Sequence, residues 1–357
     1  MATLLPKALK RGDTIAFVSP SARLNHEQPA VMARATNVLS KEGFSVRELF
    51  DEDAGIQSSI ENRLNELRTA FSDPKISAII CTIGGPSFTE LIPALVADKE
   101  LHAVIRANPK VVVGYSDITG LHWTLHALTG LRTFYGPGAI PELGEPSPSD
   151  EDAPVRFCLQ HLLRAVTEPS PVGDVPRSRI YAPKPAAFWN HPTSIQPLEL
   201  AASPPWIWIR PGKAQGRLFG GCLTVMARLN GIRAITPDWT GRIVFLETAL
   251  GEDEISGNPL YKVRAGIADL VAQGVFDEAA GLVVGRPFGY NSETMQHDYV
   301  DVIKGLLCEG RLAARPFPIL FNVDFGHTSP MVTLPFDALA ALDSEADAFS
   351  ILEPGVV

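Results

Sequence analysis

Short runs of β-branched and aliphatic residues alternate, in the N-terminal part of the chain, with stretches whose apolar positions recur at helical spacing. Thr14–Ser19, Ser45–Leu49, Ile76–Ile83 and Val111–Gly114 read as strands, and Val31–Glu42, Ser59–Ser72 and Thr89–Ala97 read as helices. Strands alternating with helices imply a parallel sheet covered on both faces, so this part reads as a doubly wound α/β domain. From about Pro141 to Pro211 the pattern dissolves into a proline-rich, irregular stretch that includes Pro204-Pro205 followed by Trp-Ile-Trp. A stretch of this kind is a linker or a long functional loop. Periodicity resumes near Gly216, with helices over Gly221–Asn230, Lys262–Gln273 and Tyr299–Cys308, and strands over Arg242–Glu247, Gly281–Val284 and Pro318–Asn322. The expected organisation is an N-terminal α/β domain (1–165), a proline-rich linker or loop (166–211) and a C-terminal α/β domain (212–357).

Composition adds bounds on function. The chain has 357 residues, more than the roughly 100–200 of one domain, which agrees with two α/β units. Hydrophobic residues make up 45% and charged residues 20%, and no apolar run approaches the roughly 18 residues of a membrane span, so a soluble protein is expected. In Met1–Gly12 the basic residues follow the short apolar stretch, the reverse of a secretory signal, and the expected compartment is the cytoplasm. Cys81, Cys158, Cys222 and Cys308 are widely spaced, which indicates neither a zinc site nor a disulfide framework. A formal net charge of −9 argues against a surface that neutralises nucleic-acid phosphates and favours small-molecule or peptide substrates.

In open parallel sheets ligands gather where strands end and helices begin. The run Val111-Val-Val-Gly-Tyr-Ser116-Asp117 is a strand, a sharp turn and the start of a helix that ends near Gly130. Ser116 there is either the nucleophile of an elbow or, with Asp117, a helix cap; Ile118 stands where the second Gly of Gly-x-Ser-x-Gly would be. Arg242–Glu247 puts a carboxylate at the end of an apolar strand, where an unpaired charge is expensive to bury. The strand Pro318–Asn322 leads into a loop carrying His327, a candidate base for Ser116 that Glu247 would orient, although a surface histidine and a salt-bridging glutamate are equally open readings. Gly84-Gly85, after another strand, lets backbone N–H groups approach a ligand, or simply makes a tight turn. His122 and His126 lack the Glu of a zinc-protease motif and a third ligand, Cys81 reads as a buried thiol, and Glu252-Asp-Glu254 as a solvated face.

Taken in order, Ile83-Gly-Gly85, Gly114-Tyr-Ser-Asp-Ile-Thr119, Gly216-Arg-Leu-Phe-Gly-Gly-Cys222, Phe245-Leu-Glu-Thr248 and Asn322-Val-Asp-Phe-Gly-His-Thr-Ser-Pro-Met331 resemble the LD-carboxypeptidase superfamily of serine peptidases. The later motifs are most similar to its microcin C immunity branch. The resemblance spans roughly Lys10 to Leu334. It implies a homodimer that needs no metal or other cofactor, with the family's nucleophile falling on Ser116, its glutamate on Glu247, its histidine on His327, and its oxyanion donors on the backbone N–H groups of Gly85 and Asp117. The implied reaction is hydrolysis of an aminoacyl-nucleotide amide; the alternatives are an LD-carboxypeptidase acting on murein-type peptides and a non-catalytic protein that binds a nucleotide or peptide at Gly84-Gly85. For a nucleobase, the proline-rich segment offers Trp189, Trp206 and Trp208 as stacking partners, Trp189 first because it lies farthest from the next domain's first strand, the alternative being that they pin the loop to the surface.

Overall fold

The computed structural model describes residues 3–146, 153–253 and 255–357. Its N-terminal lobe runs β1 (Thr14–Val18), α1 (Pro29–Lys41), β2 (Ser45–Leu49), α2 (Ile56–Ser72), β3 (Ile76–Cys81), α3 (Ile92–Ala97), α4 (Lys99–Ala107), β4 (Val111–Gly114), α5 (Thr119–Thr129) and β5 (Phe134–Tyr135). The strands pair in parallel in the order β5-β4-β3-β1-β2. Their middle members are buried along most of their length, as a sheet covered on both faces requires. Local chemistry sets the helix ends: Pro29 opens α1, the Asp98 carboxylate accepts the Leu101 N–H at the start of α4, and Gly130 closes α5 in the left-handed conformation.

The proline-rich stretch is more regular than its composition suggests. It holds α6 (Pro154–Thr167), β6 (Pro171–Asp174), β7 (Ile180–Tyr181), β8 (Ala201–Ala202) and β9 (Ile207–Arg210). Helix α6 corrects the irregular reading: Cys158, Leu159, Leu162, Ala165 and Val166 form its buried face, and Pro154 sits in the first turn, where proline costs no hydrogen bond. Strands β6 and β9 are the two edges of the second sheet, the positions in which neighbouring prolines are tolerated.

The C-terminal lobe continues with β10 (Lys213–Cys222), α7 (Leu223–Leu229), β11 (Arg242–Glu247), α8 (Leu260–Ala272), β12 (Gly281–Gly285), α9 (Glu293–Ile303), β13 (Ile319–Val323), β14 (Leu334–Pro335), β15 (Leu339–Asp343) and β16 (Ala348–Pro354). Its sheet has the order β6-β16-β15-β10-β11-β12-β13-β9, with β10 to β13 parallel and the flanking strands antiparallel. The fold is therefore the expected pair of α/β units. Strand β14 leaves its own lobe to pair with β5, extending the N-terminal sheet. The lobes are tied further by the Trp123 indole N–H, which donates to the Gly220 carbonyl at 2.8 Å, and by Arg132, which reaches Glu353 and the Pro354 carbonyl.

Candidate active site

Three strand ends meet between the lobes. After β4 the chain turns so sharply that Ser116 adopts a φ of 61°, a conformation non-glycine residues avoid. Such strain is a feature of turns that push a side chain out of a sheet edge. The turn fits because Gly84, after β3, carries no side chain: a Cβ there would come within 2.7 Å of the Ser116 Cβ and 2.9 Å of its Oγ. Gly85, with φ at 136°, lies equally close to Ser21 and Ala22. The N–H groups of Gly85 and Asp117 meet no acceptor among the described residues, the latter because it lies in the first turn of a helix.

Strand β11 ends at Glu247, which is wholly buried, and the loop after β13 carries His327 over it. His327 Nε2 is 2.9 Å from Ser116 Oγ, and its Nδ1 is 2.7 Å from Glu247 Oε2. Glu247 Oε1 accepts the Tyr135 hydroxyl at 2.5 Å, and that hydroxyl accepts the Ser116 N–H at 3.1 Å. Serine, histidine, glutamate and tyrosine thus close a ring of hydrogen bonds that fixes every heavy atom of the cluster. Burial raises the Tyr135 phenol well above its ordinary range, and neighbouring Glu247 adds to the effect, so it remains a donor. Burial opposes a charge on His327, yet Glu247, by its charge and hydrogen bond, together with Glu142, holds the imidazole above its usual value. A serine hydroxyl, a basic imidazole and a buried carboxylate in this order can transfer a proton from the hydroxyl as it attacks a carbonyl.

Behind the serine, the Asp117 carboxylate is fully buried. It accepts the Ser21 hydroxyl at 2.6 Å and the Phe88 N–H at 2.8 Å, and pairs with Arg228 from α7 across the lobe boundary. Its side chain therefore anchors the turn, while its backbone N–H stays available. Neither Tyr135 nor Arg228 was singled out by sequence; the only available signal for Tyr135 was a hydroxyl at the end of a short apolar strand following the candidate helix.

The remaining candidates are placed as follows. Residues after β7 reach the loop that carries His327, where the Ala182 N–H donates to the Ser329 carbonyl at 2.8 Å, and the next turn rests on the N-terminal lobe, where Gln28 donates to the Phe188 carbonyl at 3.3 Å. Trp189 is half-buried in that turn, packed on Phe188. Trp208 does not fit a substrate contact: it pairs with Leu320 near the start of β13, at the end away from His327, and its indole N–H donates to Asp347 at 2.8 Å. His122 and His126 are not paired as ligands. The first binds the Gly114 carbonyl at 2.9 Å and the second packs edge-on to Phe219, and burial lowers both imidazoles to about 4. Cys81 is buried, which pushes its thiol up. Glu252 and Asp253 face solvent, and Glu254 lies outside the described residues. No helix of the described residues is long and apolar enough to cross a membrane.

Comparison with known proteins identifies the family of the chain. The chain matches the LD-carboxypeptidase N-terminal domain over residues 15–136 and the LD-carboxypeptidase C-terminal domain over residues 215–342. It is 29% identical over 355 residues to a putative carboxypeptidase of Vibrio cholerae, covering 98% of this chain and 97% of that protein. It is 28% identical over 360 residues to the microcin C7 self-immunity protein of Escherichia coli, covering 98% and 96%. With a probable murein peptide carboxypeptidase of Bacillus subtilis it shares 27% over 367 residues, covering 98% and 95%. Among solved structures, the microcin self-immunity protein in complex with glutamyl sulfamoyl guanosine matches with a TM-score of 0.83 at 27% identity, covering 99% of this chain and all of that one. With both family domains falling on the two lobes and relatives aligning end to end, the chain belongs to the LD-carboxypeptidase family of peptidases.

Proposed function

We propose that the protein is a serine hydrolase in which Ser116 is the nucleophile, His327 the general base and Glu247 the group that orients it. The observation that carries this reading is the unbroken sequence of hydrogen bonds Ser116 Oγ to His327 Nε2 and His327 Nδ1 to Glu247 Oε2, at 2.9 and 2.7 Å. His327 takes the hydroxyl proton as Ser116 Oγ bonds to the amide carbon. The Gly85 and Asp117 N–H groups receive the negative oxygen, and the protonated imidazole then gives its proton to the leaving nitrogen. Water, deprotonated by the same imidazole, hydrolyses the acyl-enzyme and frees Ser116. No step calls for a metal or an organic cofactor.

For the substrate we favour an amide joining an aminoacyl group to a nucleotide-like moiety. Support comes from the end-to-end likeness to the microcin C7 self-immunity protein, including its complex with glutamyl sulfamoyl guanosine, and from Trp189, whose indole lies on a segment bridging the two lobes beside the catalytic loop. The likeness to a murein peptide carboxypeptidase supports a second reading, cleavage of an L,D-peptide bond. A cytoplasmic homodimer completes the proposal, with the division 1–165, 166–211 and 212–357 amended where α6 (Pro154–Thr167) runs across the first boundary and where β6 and β9 join the second sheet. The test is mass spectrometry of products from a murein tetrapeptide and from glutamyl and aspartyl sulfamoyl adenosines. Release of the free amino acid from the adenosines, absent with Ser116→Ala, is the expected result. Turnover of the peptide alone selects the second reading, and turnover that survives Ser116→Ala rejects the mechanism.

A further inference from the structure

A second buried carboxylate stands beside the catalytic cluster. Glu142 lies in the short helical turn Glu142–Gly144, which packs against α1 and α6, and is only 3% exposed. Its Oε1 accepts the Tyr115 hydroxyl at 2.7 Å and its Oε2 accepts the Gly138 N–H at 3.0 Å. Tyr115 is the residue before Ser116, and its ring stands edge-on to that of His327, with centroids 5.1 Å apart and planes at 66°. A buried carboxylate without a cation is expensive, and an apolar side chain would fill the same space at lower cost. Among the described residues the positive group that eases the charge on Glu142 is His327 itself.

We infer that Glu142 is a positioning residue for His327, locking Tyr115 against the imidazole and stabilising by its own charge the imidazolium that forms as Ser116 attacks. The inference rests on the reading of His327 as general base. Burial pushes Glu142 up to about 7, so it gains its charge in the range where the base must work. The groups facing His327 are Ser116 and Tyr115 on one side, Glu247 with Tyr135 behind it on another, and Glu142 beyond Tyr115. Glu145, held by the Ser329 hydroxyl at 3.0 Å, faces Glu142; burial and the Glu142 charge both raise it well above the carboxylate range, so it stays neutral. Asp324, on the histidine's own loop, is taken up by Arg286.

The experiment is an NMR titration of the His327 imidazole in the full-length protein and in Glu142→Gln and Tyr115→Phe, together with pH profiles of kcat/KM on whichever of the L,D-tetrapeptide and glutamyl sulfamoyl adenosine is cleaved. Both variants are expected to move the imidazole titration to lower pH. Glu142→Gln removes the charge, and Tyr115→Phe removes the hydrogen bond that helps Glu142 to ionise, so the second shift is the smaller one. The acid limb of kcat/KM moves with the titration, and the loss appears in kcat while KM holds. An unmoved titration in a folded variant, or a kcat that falls equally at every pH, overturns the inference. If Glu142→Gln does not fold, Tyr115→Phe carries the same test. Turnover that survives Ser116→Ala instead overturns the underlying mechanism, a result the titration does not share.

Discussion

At the scale of single residues, the site depends on where protons sit. On the proposed mechanism Ser116→Ala removes the attacking oxygen but no packing of consequence, so kcat is expected to fall on the order of 10⁴–10⁶-fold with the melting temperature nearly unchanged, measured by assay and calorimetry together. The pH dependence follows from His327. Its folded-state value is held above the ordinary imidazole value of about 6.5, and the base must be neutral to act. The rate therefore rises with pH through a midpoint above that value, and Glu247→Gln moves the midpoint down while lowering kcat. The same shift gives a stability contribution that is complete below the unfolded-state value and is lost as pH rises through the folded-state one. Tyr135 supplies a sharper test, because its hydroxyl serves both Glu247 and the Ser116 N–H. Losing a hydrogen bond to a buried charged group costs about 1.5–3 kcal/mol. Tyr135→Phe is thus expected to lower kcat roughly ten- to a hundredfold, and wild-type kinetics would show that Glu247 holds its position without it.

At the scale of elements, what could be read from sequence is what local pattern encodes. Strands β1, β4, β11 and β13 are built on apolar runs, and they lie within a residue or two of where the pattern puts them; the more polar edge strand β2, Ser-Val-Arg-Glu-Leu, also falls where it is expected. The catalytic candidates were found for the same reason, since Ser116, Glu247 and His327 each follow such a run. What was not legible depends on pairing across the chain. Tyr135 matters because β5 adds to β4, Glu142 because its turn packs under Tyr115, and the hairpin β15–β16 because Leu339–Asp343 finds β10 as a partner, although its Ala-Leu composition suits a helix. The long segment from β7 to β9 is where this bears on substrate choice. If Trp189 stacks on a nucleobase, Trp189→Ala loses about 1–3 kcal/mol, a rise in KM of roughly five- to 150-fold on glutamyl sulfamoyl adenosine and none on an L,D-tetrapeptide. An equal loss on both substrates would make Trp189 a loop anchor, much as Trp208 in β9 is held by its hydrogen bond to Asp347.

At the scale of the whole molecule, two lobes with separate sheets invite the expectation of two independent folding units, and the connections argue otherwise. Strand β14 of the second half completes the first sheet, and the final residue donates its N–H to the Pro6 carbonyl at 2.9 Å and accepts the Ala8 N–H at 2.8 Å. The buried Trp123 indole and Arg132 both spend their donors across the boundary, as does Arg228 on Asp117. Separating the lobes would exchange these buried bonds for water and take from Asp117 its cation, Arg228, while its bonds from Ser21 and Phe88 remain, at roughly 0.5–1.5 kcal/mol for each neutral bond and about 1.5–3 kcal/mol for those to charged groups. Such penalties are a large part of the 5–15 kcal/mol that holds a typical domain together. The two halves are therefore expected to unfold in one transition, with a calorimetric enthalpy equal to the van't Hoff value. Activity should disappear with that transition and not before it, because Ser116 comes from one lobe and Glu247 and His327 from the other. Arg228→Ala should lower the single melting temperature without splitting it, since the strand and terminal ties remain. Two resolved calorimetric peaks, or loss of activity well below the first of them, would mean that the lobes part while each remains folded.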